Sequence, residues 1–262
     1  MLGPAVYPLF RRVDFRGKGR LRGRFRVPTE GRPVVAFPGG VRLRLDLRES
    51  LQRDFYFGLT DQRELRLVSQ RLRRGGDFVD VGAHIGMYTV RAALALRGRG
   101  RVLAFEPNPS ARSQLVENLA LNGCTNVVVA AAAVGDEAGE AELHVPASPD
   151  PSFSSLDGGR FPEGESVRVP VTTVDAAVAE HGMTPAVVKI DVEGREAAVV
   201  RGMTETIATL RPMLLVEVSA ESAPEVHRMC AGYRAFRVGR RLGPLETGRG
   251  LFNALFVPDD PM

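Results

Sequence analysis

"DFVDVGAHIG", residues 77–86, decides how the rest of the chain reads. Its first half is a short apolar run ending near Asp80, which suits a buried strand. Gly82 and Gly86 then supply a tight turn and a close helix start. The spacing is that of a nucleotide-binding fingerprint, except that His84 stands where a dinucleotide site keeps its central glycine. A side chain there crowds a pyrophosphate, and the Asp80 carboxylate would repel one. The same carboxylate suits a ligand that carries an ammonium group.

Outward from this turn the pattern alternates between strand and helix. Downstream, "RVLAFE" (101–106) is a strand, and "PSARSQLVENLALNG" (109–123) is a helix with a proline start and a glycine stop. "NVVVAAAAV" (126–134) is a third strand. "EAELHV" (140–145) and "VRVPVTTV" (167–174) are strands flanking the Pro-, Ser- and Gly-rich loop 146–165, long enough to act as a lid over an acceptor. "TVDAAVAEHG" is a helix, "AVVKIDV" (186–192) a buried strand, and "EGREAAVVRGMTETIATL" (193–210) a helix with a glycine in its middle. "PMLLVEV" (212–218), "SAPEVHRMCAGY" and "LFNALFV" (251–257) give a strand, a helix and a last strand. Upstream, "VRLRLDL" (41–47) alternates as a strand. "DQRELRLVSQRLR" (61–73) places Leu65, Val68 and Leu72 at helical spacing, with Asp61 as its cap. Apolar strands separated by helices predict an α/β fold, a doubly wound and mostly parallel sheet covered on both faces. The expected division is an N-terminal basic extension over residues 1–60, its strands packed on the core, and a cofactor-binding domain over 61–262.

Such sheets bind ligands at the carboxyl ends of their strands, and the polar residues gather there: Asp80, Glu106, Asp191 and Glu217. Glu106 follows Asp80 by 26 positions, near the ~20-residue spacing of an acid that accepts hydrogen bonds from ribose hydroxyls. A ribose, an ammonium group and no diphosphate together describe S-adenosylmethionine. NAD fits the motif less well, and a turn that binds nothing leaves two acids at two strand ends unexplained.

Composition narrows the partners. The chain has 262 residues, enough for one large domain with an extension, and a net charge of +4. No stretch approaches the ~18 apolar residues of a membrane span. The first residues lack the order of a secretory signal, so a cytoplasmic location is expected. Cys124 and Cys230 are far apart and read as free thiols. Of 35 basic Lys and Arg residues only Lys18 and Lys189 are lysine. The arginine- and glycine-rich arm 11–32 reads as a solvated edge rather than a nucleic-acid grip, because aromatic residues are sparse in it.

The segments "DFVDVGAHIGMYTV", "VLAFEPNP", "VTTVD" and above all "VVKIDVEGREAAVVRGM…RPMLLVEV" resemble the FkbM family of S-adenosylmethionine-dependent methyltransferases, over about residues 60–219. The resemblance implies a class I methyltransferase fold, a Rossmann-like seven-stranded sheet whose last strand is antiparallel. It also implies O-methylation of a small hydroxylated molecule, a sugar or a polyketide-type natural product. By position it places Asp80, Gly82 and Gly86 in the methionine-binding turn, with His84 and Thr89 as further expected cofactor-binding residues. Glu106 falls at the ribose and Ala133 and Val134 at the adenine, and Asn108 and Asp191 are further expected cofactor-binding residues. The family often has asparagine at the place of His84. Either side chain can hydrogen-bond the cofactor, and a positioning role is expected of His84 before a proton-transfer one.

Lys189, Asp191 and Glu193 are the expected catalytic set. In an extended segment they share one face, so a carboxylate can take the acceptor's proton while Lys189 orients it. A salt bridge that only holds the turn is the competing reading. Asp191, Glu193 and Glu217 are read as a hydrogen-bonding set rather than a magnesium site. An RNA methyltransferase using the basic arm is the alternative function, and a catalytically silent binding protein the third.

Overall fold

The computed structural model describes residues 29–59, 62–146, 164–239, 241–245 and 250–259. The arm up to residue 28, the Asp61 cap and nearly all of the expected lid, residues 147–163, lie outside the described residues.

The chain opens with β1 (Val34–Ala36), β2 (Arg42–Arg44), α1 (Ser50–Phe57) and α2 (Gln62–Leu72). The first βαβ run is β3 (Asp77–Val81), α3 (Met87–Leu96), β4 (Val102–Phe105), α4 (Pro109–Leu121) and β5 (Val127–Ala130). Then come β6 (Ala133–Val134), β7 (Gly139–Pro146), β8 (Gly164–Thr172), α5 (Val174–Glu180), β9 (Pro185–Ile190) and α6 (Glu196–Arg201). A π-helical turn (Thr206–Leu210) leads to β10 (Met213–Val218), α7 (Ala223–Met229), β11 (Tyr233–Val238), β12 (Leu242–Pro244) and β13 (Phe252–Pro258).

The main sheet has the order β12-β11-β13-β10-β9-β3-β4-β5. β3 pairs in parallel with β4 and β9, β9 with β10, and β4 with β5, while β13 runs antiparallel to β10 and β11. The antiparallel last strand is the one expected, and β12 adds a short eighth strand at the edge. β3, β4 and β9 are buried along their whole length, as central parallel strands covered on both faces must be. Successive residues feed opposite cores. Val187 and Leu215 join a cluster with α2, α3 and α4, whereas Val188, Ile190, Leu214 and Val216 join one with α5, α6 and α7.

Several elements differ from the sequence reading. The third strand is two strands in two sheets: β5 lies on the main sheet, and β6 pairs with β8 in a small sheet completed by β7. The strand expected over 41–47 is only three residues long. α1, β1, β11 and β12 were not anticipated, because their runs are too short to establish a period. The helix expected over 193–210 breaks at Gly202. A Cβ there would stand 2.1 Å from the Gly135 carbonyl oxygen. The backbone of the β6–β7 turn crosses too closely for any side chain, and Asp175 caps the π-helical turn instead, accepting from the Glu205 and Thr206 N–H groups.

The N-terminal hairpin is held by side chains standing in for a strand. Asn122 accepts from Arg42 N at 2.8 Å and donates to Arg42 O at 2.6 Å. One helical turn earlier, the fully buried Asn118 accepts from Arg44 N at 2.7 Å and donates to Ile85 O at 2.9 Å. Two amides on one face of α4 therefore satisfy the free edge of β2, and Asn118 ties it to the turn after β3. Val35, Leu43, Leu45 and Leu47 pack into the same cluster as Phe78 and Ile85. Among the described residues no helix is long and apolar enough to cross a membrane.

Asn118→Ala leaves one backbone donor and one buried carbonyl unpaired, so it should cost about 2–3 kcal/mol in urea unfolding. Asn122→Ala, at a more exposed site, should cost less. Equal or negligible losses would show that the hairpin does not depend on this amide edge.

Candidate active site

An open cleft of about 810 Å³ lies at the carboxyl ends of β3, β4 and β9. Its walls include Leu51, Gly82, His84, Phe105, Glu106, Asn108, Ala133, Val134, Leu143, Asp191, Val192 and Glu193. One side is apolar and the other carries carboxylates, as small-molecule sites commonly do.

The floor is the contact between two turns. Gly82 has φ +78, and a Cβ on it would sit 1.9 Å from the Asp191 carbonyl oxygen. Only glycine lets the turn after β3 lie on the turn after β9. Gly82 N and Ala83 N both donate to Phe105 O, and Asp191 N donates to Val81 O, so all three strand ends share one hydrogen-bonded seam.

Lys189 lies at the centre of that seam. Asp80 is its register partner across β3 and β9, so the two side chains emerge on the same face. The Lys189 ammonium donates to Gly82 O at 2.7 Å and stands 3.3 Å from Asp191 Oδ2 and 3.7 Å from Asp80 Oδ1. It also lies 5.4 Å from the centre of the Tyr88 ring. Lys189 is 5% exposed and Asp80 0%. Burial pushes the Asp80 carboxyl up, and Lys189 and the Thr89 hydroxyl, which donates to Asp80 Oδ2 at 2.5 Å, only partly counter it.

Asp80 thus does not reach the cleft. Its partners are Thr89 and Lys189, and Thr89 too is wholly buried. The carboxylate that does reach solvent is Asp191, with a side chain 39% exposed. The expected shared face covers Lys189 and Asp191 but does not extend to Glu193. β9 ends at Ile190, and Glu193 has left-handed backbone with φ 55. Strand alternation has stopped by then, although Glu193 still forms part of the cleft wall.

Glu106 is buried at the end of β4. Burial pushes its carboxyl up, opposed by the nearby His84 charge and by hydrogen bonds from backbone N–H groups. Those bonds run from His84 N to Oε2 at 2.7 Å and from Asn108 N to Oε1 at 2.9 Å. The Asn108 side chain is occupied as the cap of α4, accepting from Ser110 N and Ala111 N. Gly86 begins α3 in left-handed backbone, and Ala133 and Val134 form β6 on the apolar wall. Among the described residues no three His, Cys, Asp or Glu side chains are arranged to hold a metal ion.

A model of the methyltransferase FkbM domain matches residues 80–236. The chain belongs to the FkbM methyltransferase family. Its members use S-adenosylmethionine as methyl donor. Among curated proteins, the hexuronic acid methyltransferase AglP of Haloferax volcanii is 28% identical over 167 residues, covering 63% of this chain and 65% of that relative. The chain therefore spans less than two thirds of that relative's length. Among solved structures, methyltransferase FkbM from Methylobacillus flagellatus KT aligns with a TM-score of 0.49 and 16% identity, over 78% of this chain and 52% of that one. Precorrin-6y C5,15-methyltransferase from Geobacter metallireducens GS-15 aligns at 0.46 and 14% identity, over 76% and 89%.

Sequence reasoning named Glu217 with Asp191 and Glu193 as a hydrogen-bonding set at the strand ends, but gave no sign of its burial, and it did not name Glu49. Glu217 follows Val216, the register partner of Ile190, and so stands beside Asp191. Burial, then the charges of Asp191 and Glu193, push its carboxyl from an ordinary 4.5 to about 8. Between these two values the folded protein holds a proton that the unfolded chain has released, so stability falls as pH rises from about 4.5 to 8. Glu217→Gln should remove that slope and raise Tm at pH 8 by on the order of a few degrees. Thermal unfolding of both proteins at pH 5 and pH 8 checks this, and an unchanged slope would count against it.

Proposed function

We propose that this chain transfers the methyl group of S-adenosylmethionine to a hydroxyl oxygen of a sugar. The observation that carries the reading is the Lys189–Asp191 pair at the end of β9, with an exposed carboxylate at the cleft and a buried ammonium behind it. The sugar is supported by the curated relative, whose name specifies a hexuronic acid.

The residues present fit the cofactor. Glu106, already held by two backbone N–H groups, keeps lone pairs for the two hydroxyls of a ribose. Phe105, Ala133, Val134 and Leu143 offer an apolar wall for adenine. Gly82 provides backbone bare of a side chain at the cleft floor. When bound, S-adenosylmethionine supplies a methyl group activated by a sulfonium.

The chain's own residues then have distinct tasks. Asp191 accepts the proton of the acceptor hydroxyl as that oxygen becomes nucleophilic. Lys189 orients Asp191 and, through Gly82 O, holds the turn that faces the cofactor. Asp80 and Thr89 act behind Lys189, fixing its position rather than touching ligand. Glu193 is the second carboxylate at the acceptor side. The turns after β3 and β9 align donor and acceptor, which supplies most of the advantage in a displacement of this kind.

Calorimetry with S-adenosylmethionine on Glu106→Ala should show affinity weakened by about 1–3 kcal/mol, with a comparable, indirect loss for Asp80→Ala. Unchanged affinity in both would remove the cofactor assignment. With hexoses and hexuronic acids as acceptors, the product is expected to be a methyl ether, read by NMR. Asp191→Asn and Lys189→Arg should keep cofactor affinity while turnover drops on the order of a hundredfold. Near-normal turnover in both, in folded protein, would make the pair structural.

A further inference from the structure

His84 answers to a residue 35 positions earlier in the chain. Its Nε2 stands 3.5 Å from Glu49 Oε2, and Glu49 is only 4% exposed. Glu49 lies just ahead of α1 and outside the residues matched by the family model. Burial pushes the Glu49 carboxyl up. Hydrogen bonds from His84, Gln52 and Gln114 outweigh that push, and it ends below its ordinary value. A buried carboxylate held in this way is a firm anchor for an imidazole.

The anchored residue controls more than its own ring. His84 has left-handed backbone with φ 49, a conformation that costs a histidine free energy unless its surroundings impose it. In that conformation its N–H points at Glu106 Oε2, at 2.7 Å. Among the described residues its buried ring Nδ1 has no hydrogen-bond partner, and the polar contact of the ring is the one from Nε2 to Glu49. Asparagine enters left-handed backbone more readily, but its side chain is too short to extend as an imidazole does. On this view a histidine is used at this turn for its reach toward Glu49, not for contact with the ligand.

We propose that Glu49 is a positioning residue for the cofactor: by holding the His84 ring, it fixes the left-handed turn whose N–H orients the Glu106 carboxylate. The N-terminal segment thereby becomes part of the cofactor site, with Leu51 beside it on the cleft wall. This rests on the reading of Glu106 as the ribose-binding acid.

A double-mutant cycle tests it. Wild type, Glu49→Gln, His84→Asn and the double variant are compared for S-adenosylmethionine Kd, Tm, and kcat at saturating cofactor. Each single change is expected to weaken cofactor binding about five- to tenfold, and the double no more than the weaker single, since both break one contact. In Glu49→Gln the loss should fall on Kd, with kcat at saturating cofactor within about twofold of wild type, and Glu49→Asp should restore part of the affinity. Wild-type Kd in Glu49→Gln, or losses that multiply in the double variant, would overturn the proposal. So would affinity that merely follows Tm across the series, which makes Glu49 a packing residue. Binding that depends on Glu106 but ignores Glu49 defeats this inference alone. A wild-type protein that does not bind S-adenosylmethionine defeats both this inference and the function above.

Discussion

An ammonium group inside the central strands of a parallel sheet is the constraint around which the site is arranged. Lys189 has apolar neighbours along β9, and an unpaired charge there would cost several kcal/mol. It is accommodated by three oxygens: the Asp80 carboxylate from β3, the Gly82 carbonyl from the turn after β3, and the Asp191 carboxylate from the turn after β9. Each of those turns needs the other. Gly82 must lack a side chain because Asp191 O lies against it, and Asp191 is placed there by β9 running parallel to β3. Removing the charge would free the turns, and moving a turn would strand the charge.

This arrangement separates two carboxylates that look alike in sequence. Asp80 and Asp191 both end a central strand, yet one is sealed and the other opens to the cleft. Asp80 is covered by Thr89 from α3, whereas Asp191 lines the cleft with its side chain 39% exposed. The same lysine therefore contacts both, one carboxylate sealed behind it and the other open to the cleft. Glu217 shows the complementary effect. Next to Asp191 and Glu193, and further from the lysine's benefit, it is pushed to about 8.

The N-terminal segment belongs to the same logic. Among the described residues its hairpin has no strand neighbour beyond β2, and Asn118 in α4 and Asn122 at its end supply hydrogen bonds to that edge. Asn118 also grips Ile85, and Glu49 reaches His84, so the segment touches the turn after β3 at two points. A region outside the family-matched residues thus braces the turn that the family motif encodes.

The sequence by itself determined the alternation of strands and helices, the antiparallel last strand by resemblance, and the position of the glycine turn. These follow from local periodicity and from turn chemistry that acts within a few residues. It also marked Glu106, Asp191 and Lys189, because acids at strand ends and one of only two lysines among many arginines are visible in one dimension. It did not show that Asp80 is sealed behind Lys189, nor that Glu193 leaves the strand face, nor pair His84 with Glu49. Tertiary structure decided those, since burial, the end of a strand's pairing and contacts between distant segments depend on which backbones pack together. The split of β5 from β6 and the break at Gly202 have the same origin: a second sheet takes one strand, and a crossing turn leaves room only for glycine.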